Sequence, residues 1–175
     1  ISYVNFITDL TNQVIKQSNN KNIYDILISS ILKIDEGYDP LIICDILEIK
    51  TVIPYSDDYD SVVNDEQNSE SSNHLPEIQD INVDLDKYDT IILGTPVWWY
   101  RPVPAIRTFL SHYNLDGKKI IPFATNAGWL GKTFKEIKEM CPNSKVEKEM
   151  SIVFKSYSDT LVTSEEEIDS WINSL

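Results

Sequence analysis

The sequence predicts an α/β protein of the doubly wound class, in which a parallel sheet carries helices on both faces. Short apolar runs alternate along the chain with segments whose apolar residues recur at helical spacing, and this alternation is typical of that class. Thr90–Gly94 is a continuous apolar run, which indicates a strand buried on both faces. The chain has 175 residues, of which 42% are hydrophobic and 25% charged, so residues 1–175 are expected to form a single domain with a full core.

The first half of the chain contains two predicted strands and one strong helix. Ile1–Ile7 is apolar and β-prone, and Asp45–Val52 alternates between apolar and polar residues as a strand does. Between them, Asn22–Ile34 places its apolar side chains on one helical face. Ser56–Asn82 is polar and acidic, and it is interpreted as a helix end followed by a solvated loop.

The second half continues the alternation of strands and helices. Its last helix opens with a capping box formed by Ser164 and Glu167 and runs to Leu175. The other predicted elements are helices at Pro104–Tyr113 and Thr133–Met140, and strands at Lys118–Thr125 and Val146–Phe154.

The charge balance narrows the classes of partner. Lys and Arg number 15 and Asp and Glu 28, which gives a formal net charge of −13. Nucleic-acid affinity depends largely on cations that neutralise phosphates, so this balance argues against nucleic acid and against anionic membrane surfaces, and it favours cationic partners. No apolar run in the sequence approaches the ~18 residues of a membrane span.

Cysteine usage predicts a cytoplasmic protein. Cys44 and Cys141 are far apart and have neither metal-ligand nor C-x-x-C spacing, so both are expected to be reduced thiols. Because the chain starts at Ile1 rather than Met, a removed export signal remains the alternative.

Three consecutive aromatic residues follow the strand at Thr90–Gly94. Trp98, Trp99 and Tyr100 stand between prolines, and three adjacent side chains of this kind do not all face one core. One use for them is a wall that stacks on a planar ligand, since ring pairs add about 0.5–1.5 kcal/mol beyond burial. The alternative is that one tryptophan plugs the end of the sheet while the other packs on the following helix.

A second loop with similar chemistry follows the strand at Lys118–Thr125. Gly128 and Gly131 let backbone N–H groups approach a ligand closely. Asn126 offers a donor and an acceptor, and Trp129 adds a flat surface. Ligands of parallel sheets bind beyond the carboxyl ends of the strands, so the two loops are expected to converge on one site. The alternative for the glycines is ordinary turn formation.

A phosphate-binding loop is expected after the first strand, and two positions for it are open. Thr8–Asn12 follows that strand directly, whereas Ser18, Asn19 and Asn20 precede the helix at Asn22–Ile34. Neither candidate contains glycine, and the second also fits a plain helix cap. The sequence shows no catalytic nucleophile, no paired catalytic carboxylates and no metal-ligand cluster.

A family resemblance is carried by Tyr88–Trp99, Pro104–Leu110, Asp116–Gly131 and Ile137–Pro142. It continues upstream in Asp45–Ile49 and Ile53–Tyr59, and downstream in the final helix with Trp171 and Ile172. With them the chain resembles the flavodoxin family, specifically its short, single-domain FMN proteins of bacteria. The resemblance extends over residues 45–175 and is most specific between residues 88 and 142.

The resemblance implies a three-layer flavodoxin-like sandwich, with a five-stranded parallel sheet in the order 2-1-3-4-5 and FMN at the point where the strand order reverses. The flavin ring is then expected between the loops after the third and fourth strands, and the FMN phosphate at the loop after the first. The residues so assigned are Thr95, Pro96, Val97, Trp98, Trp99 and Tyr100 on one side of the ring, Thr125, Asn126, Ala127, Gly128 and Trp129 on the other, and Ser18, Asn19 and Asn20 at the phosphate. The chain departs from the family's S/T-x-T-G-N-T phosphate loop, for which Thr8–Asn12 is the rival position.

The resemblance also implies a function, namely electron transfer or the reduction of small quinone-like acceptors. An FMN-dependent oxidoreductase or electron carrier of this kind needs no catalytic acid or base from the chain. Its partners are expected to be a redox protein or a small electron acceptor, with basic proteins steered by the acidic surface, and a monomer or a homodimer is expected. The alternative is a flavodoxin-like scaffold that has lost FMN, because its phosphate loop lacks glycine, and that acts as a binding module.

Overall fold

The computed structural model describes residues 3–8, 44–56, 58, 60–65, 75–158 and 160–175. The longer helices are α1 (Pro104–His112), α2 (Thr133–Met140) and α3 (Glu165–Asn173); residues 60–65 are also helical, and Leu85–Lys87 forms a 3₁₀ turn. The strands are β1 (Tyr3–Thr8), β2 (Cys44–Ile49), β3 (Thr90–Trp98), β4 (Arg101–Pro102), β5 (Lys119–Asn126), β6 (Lys145–Val146) and β7 (Met150–Val153).

The described strands form one sheet with the path β2-β1-β3-β5-β6, while β4 pairs with β3 and β7 pairs with β5. All pairs are parallel except the hairpin of β3 with β4. Phe6 of β1 lies opposite Leu93 of β3, and Pro96 of β3 lies opposite Thr125 of β5. The carboxyl ends of β1, β3 and β5 therefore lie at the same edge of the sheet.

Alternate residues of β3 enter two separate cores. Ile91 and Leu93 pack in one cluster with Phe109 of α1 and Ile137 of α2, whereas Ile92 packs in a second cluster that contains the buried residues of α3. The helices α1 and α2 thus cover one face of the sheet and α3 covers the other. The predicted doubly wound α/β class is confirmed.

The sheet differs from the predicted five parallel strands because it contains seven strands. The strand predicted at Val146–Phe154 is two short strands, which pair with Lys119–Ile120 and with Phe123–Asn126 of β5. Lys148 lies between the two with a φ of 56°, and this left-handed backbone is incompatible with a continuous strand. The other additional strand is β4, the returning arm of the hairpin after β3.

Two predicted segments cannot be compared with the structure. The helix at Asn22–Ile34 and the centre of the acidic stretch, residues 66–74, lie outside the described residues. Among the residues that are described, no helix combines the length and the hydrophobicity that a membrane span requires.

The predicted capping box of α3 is present. The Ser164 Oγ accepts from the N–H of Glu167 at 3.2 Å, and the Glu167 Oε2 accepts from the N–H of Ser164 at 2.9 Å. Replacing Ser164 by Ala is expected to lower the free energy of unfolding by about 1 kcal/mol, which corresponds to a Tm lower by about 2–4 °C. Ser170→Ala, in the exposed middle of the same helix, is the control; an equal loss in both variants would contradict a role for the cap.

Candidate functional site

The aromatic segment at the end of β3 forms a β-hairpin with a two-residue turn. Val97 pairs with Pro102 and Trp98 with Arg101, so Trp99 and Tyr100 are the turn residues. Their φ angles are 47° and 64°, the left-handed values of the type I′ turn that glycine and asparagine normally occupy. A residue with a side chain costs about 1–2 kcal/mol in this conformation, so the turn is strained and must be held by contacts elsewhere.

The residues of this segment differ in their exposure. Pro96 is buried, Val97, Trp98 and Trp99 are half-buried, and Tyr100 is 53% exposed. The Trp98 ring packs edge-on against Tyr55 with ring centroids 5.1 Å apart, and it also contacts the core beneath α1 and α2. Trp98 therefore packs with part of its ring against the end of the sheet, and Trp98, Trp99 and Tyr100 all keep accessible aromatic surface.

Thr95, at the start of this segment, supports the hairpin from inside. Its side chain is buried, and its Oγ1 donates to the carbonyl of Pro96 at 2.8 Å and accepts from the N–H of Val103 at 3.3 Å. The hydroxyl is thus engaged within the protein.

The loop after β5 is shaped by the Asn126 side chain. Its Oδ1 accepts from the N–H of Gly128 at 2.9 Å, and its Nδ2 donates to the Ser151 Oγ at 2.9 Å. The amide therefore fixes the bend of the loop, and the contact with a ligand that the sequence assigned to it stays a prediction. Thr125 is half-buried beside it.

Beyond this bend, the loop offers an open and polar surface. Ala127, Gly128 and Trp129 are exposed, Trp129 to 64%. Within the part of the chain that the structure describes, the main-chain N–H groups of Ala127, Trp129 and Leu130 donate to no protein acceptor. These donors are available to the polar edge of a ligand.

The two loops, which the sequence predicted to converge on one site, are in direct contact. The rings of Tyr100 and Trp129 meet edge to face, with centroids 6.3 Å apart and an interplanar angle of 89°. The N–H of Lys132 donates to the carbonyl of Tyr100 at 2.9 Å. At Gly131, a Cβ would lie only 2.2 Å from the Cβ of Tyr100, so the close approach requires glycine at this position.

A buried charge cluster that sequence reasoning missed lies beside the hairpin. Arg101 of β4 donates from Nε to the Glu136 Oε2 of α2 at 2.7 Å and from Nη2 to its Oε1 at 2.5 Å. The Nε of Arg107 in α1 lies 3.3 Å from the same Oε1. The three side chains are 17%, 11% and 4% exposed for Arg101, Glu136 and Arg107. The charge cluster therefore joins the hairpin to both helices on this face.

The sequence did contain a signal for the charge cluster. In α2, Thr133, Glu136 and Ile137 share the inward face at helical spacing. A carboxylate at an inward position is stable only with cationic or hydrogen-bonding partners. The position of Glu136 therefore predicts such a partner, but the sequence alone does not identify it.

The charge cluster changes the titration of Glu136. Burial raises the pKa of its carboxyl, but the hydrogen bond from Arg101 and the charges of Arg101, Arg107 and Lys132 outweigh burial and hold the pKa below its ordinary value of 4.5. Glu136 is therefore ionised at neutral pH and serves as a fixed anion between two guanidinium groups.

The phosphate candidates cannot be placed. Thr8 ends β1, opposite Ile49 of β2, at the edge of the sheet from which the two loops leave. The rest of Thr8–Asn12, and the rival residues Ser18, Asn19 and Asn20, lie outside the described residues.

Comparison with known proteins identifies a matching family model and solved structures with the same fold. A family model described as flavodoxin matches residues 33–175. No curated protein matches the chain in sequence.

Solved structures with the same fold include a candidate flavoprotein from Bacteroides uniformis (TM-score 0.65, 21% identity, covering 98% of this chain and 97% of that chain). A flavoprotein from Lactobacillus acidophilus, solved in complex with FMN, has a TM-score of 0.60 and 20% identity, covering 97% of each chain. Oxidised flavodoxin 1 from Bacillus cereus has a TM-score of 0.52 and 12% identity, covering 99% of this chain and 94% of that chain.

Proposed function

Because the chain belongs to the flavodoxin family, we propose that it binds FMN at the carboxyl edge of the sheet and passes electrons to a redox protein or a small quinone-like acceptor. The flavin ring would lie between the aromatic turn, Val97–Tyr100, and the amide loop, Thr125–Trp129. The observation that carries this proposal is the direct contact of the two loops, which join exposed aromatic rings to main-chain N–H donors.

The residues present fit a flavin ring. Trp99 is half-buried, and Tyr100 and Trp129 are exposed, so flat surfaces are accessible for stacking. The N–H groups of Ala127 and Trp129 would bind the polar edge of the ring. A Cβ built at Gly128 meets nothing within 4 Å, so the loop leaves open space at this point.

The phosphate would be held at the loop after β1, by Ser18, Asn19 and Asn20 or by the rival segment Thr8–Asn12. The end of β1 at Thr8 supports this direction, because it lies at the same edge of the sheet as the two loops. The Lactobacillus flavoprotein, which has this fold and was solved in complex with FMN, supports FMN as the ligand.

The role of this chain in the reaction would be to bind FMN and to shield part of the flavin ring from water. When bound, FMN itself supplies the capacity to accept and release electrons. Residues 95–102 and 125–132 contain no carboxylate, thiol or imidazole, so neither loop offers one of these three groups for general acid–base catalysis. The aromatic turn and the amide loop would orient the ring and exclude water from one part of it.

Reconstitution with FMN tests the binding. Apoprotein titrated with FMN should quench its tryptophan fluorescence in a saturable manner and stay yellow after desalting, because Trp99 and Trp129 would contact the ring. Protein that stays colourless would contradict the proposal and support the scaffold that has lost FMN.

Trp129→Ala is expected to weaken FMN binding about tenfold, the equivalent of one ring contact of about 1.4 kcal/mol. Its Tm should change little, because the side chain is 64% exposed. Tyr157→Ala removes an even more exposed ring from the loop after β7 and should leave the Kd unchanged. An equal effect of both substitutions on the Kd would contradict the assignment of Trp129.

Electron transfer is tested with the reduced holoprotein. Mixed anaerobically with a small benzoquinone or with cytochrome c, it should return to the oxidised spectrum. Failure to react with either acceptor would contradict this part of the proposal while leaving FMN binding intact.

A further inference from the structure

The aromatic turn is strained but has little secondary structure of its own to hold it. Strand β4 contributes only two residues, Arg101 and Pro102, to the hairpin. Both turn residues, Trp99 and Tyr100, occupy the left-handed region without being glycine, and conformations of this kind persist only where the surroundings impose them.

We propose that Glu136 is a positioning residue for the flavin site, which acts through Arg101 to hold the aromatic turn against the amide loop before any ligand arrives. Arg101 directly follows the turn in the chain, so its guanidinium fixes the point at which the turn returns to the sheet. The predicted effect of Glu136 on FMN binding rests on the proposed function. The predicted effect of Glu136 on the position of the aromatic turn does not.

The geometry of the charge cluster suits a positioning role. Two parallel hydrogen bonds join the Arg101 guanidinium to the Glu136 carboxylate, and a paired contact of this kind fixes orientation as well as distance. Arg107 reaches the same carboxylate from α1, which prevents the Glu136 side chain from following Arg101 if the turn shifts.

A main-chain hydrogen bond also connects the aromatic turn to the start of α2. The carbonyl of Tyr100 accepts from the N–H of Lys132, and Lys132 is the N-cap residue of α2. Glu136 lies one turn further along α2. One restraint on the aromatic turn therefore ends on α2 and the other on its N-cap residue, and three residues separate the end of the amide loop from α2.

This arrangement sets the distance between the aromatic turn and the amide loop, which form the two sides of the proposed flavin site. Because α2 and its N-cap residue hold the turn at two points and follow the amide loop closely in the chain, the Tyr100 and Trp129 rings are fixed relative to each other. Without the Glu136 carboxylate, the turn can relax toward less strained φ values, and Tyr100 moves away from Trp129. A site with preset walls binds its ligand more tightly because less ordering remains to be done on binding.

The test uses fluorine NMR of the apoprotein labelled with 5-fluorotryptophan. The chain has four tryptophans, and single Trp→Phe replacements assign their signals. In Glu136→Gln, the signals of Trp99 and Trp129 should shift by more than their linewidth. The signal of Trp171, in the core on the other face of the sheet, should stay in place. Glu139→Gln is the matched control, since Glu139 lies on the same helix in an exposed ion pair with Lys135.

A purely structural role for Glu136 predicts a different result. If all four signals move together, or if none moves while the protein stays folded, the proposal is wrong. Should Glu136→Gln fail to fold, Arg101→Lys decides the matter, because lysine keeps the cation but loses the planar fork. That variant is expected to shift the same two signals.

The FMN titration provides the second readout. Glu136→Gln should weaken FMN binding about tenfold relative to Glu139→Gln, the same magnitude as the loss of one ring contact. An unchanged Kd would overturn the link between Glu136 and the flavin site. If the wild-type protein binds no FMN, the proposed function fails, and the fluorine signals still decide whether Glu136 positions the turn.

Discussion

Alanine at Gly131 is expected to force the aromatic turn and the amide loop apart. The added Cβ would lie 2.2 Å from the Cβ of Tyr100 and 2.6 Å from its carbonyl oxygen, and neither atom is the end of a flexible side chain. The φ of 58° at Gly131 adds the penalty of a left-handed backbone. Together the two effects should lower the free energy of unfolding by about 2–5 kcal/mol and abolish most FMN binding.

Gly117→Ala is the control that separates the steric clash at Gly131 from the free-energy cost of a left-handed backbone. Gly117 has a φ of 75°, and a Cβ built there meets nothing within 4 Å. This variant should therefore lose only about 1–2 kcal/mol and keep its affinity for FMN. Chemical denaturation and FMN titration of both proteins measure the difference, and similar losses in the two variants would show that the contact between the loops is unimportant.

Glu136→Ala is expected to lower the stability much more than the removal of an exposed charge from the same helix. The variant leaves the guanidinium groups of Arg101 and Arg107 beside a vacated carboxylate, with Arg107 only 4% exposed. Breaking a buried ion pair in this way costs about 3–5 kcal/mol, or on the order of 10 °C in Tm for a chain of this length. Glu139→Ala, which breaks an exposed pair on the same helix, should cost less than about 1 kcal/mol.

The contribution of Glu136 should also depend on pH. In the unfolded chain its carboxyl has the ordinary pKa of 4.5, and in the folded protein the charge cluster lowers that pKa. The unfolded state therefore binds the proton more readily, and the stabilising effect is complete well above pH 4.5 and is lost as the pH falls through the lower, folded value.

Denaturation at a series of pH values measures this dependence in the wild type and in Glu136→Gln. Other carboxylates with a lowered pKa, among them Glu147 and Glu167, are present in both proteins, so their effect cancels in the difference. The gap in the free energy of unfolding should be constant at neutral pH and should close below pH 4.5. A gap that stays constant down to pH 2 would mean that the Glu136 carboxyl has the same pKa in the folded and unfolded states, which would contradict the effect of the charge cluster.

Much of the site could be predicted from the sequence because its parts are local. The aromatic residues 98–100 and the glycine-containing loop 126–131 each follow a strand directly, and parallel strands deliver such loops to one edge. The two positions that were interpreted differently, Thr95 and Asn126, have small polar side chains. These side chains bond to nearby main-chain or side-chain groups, and the same residue types would equally suit a ligand.

Within the described residues, the sequence alone determined the succession of β1, β2, β3, β5 and the three longer helices, because hydrophobic periodicity and caps such as Ser164 are properties of short segments. Only the tertiary structure decided that Trp98 faces Tyr55, that the Trp99–Tyr100 turn is left-handed, and that Glu136 joins Arg101 to Arg107. Each of these features depends on which side chains meet across elements that are distant in the chain. These tertiary contacts are stabilised by burial and by charge pairing, and neither produces a periodic pattern in the sequence.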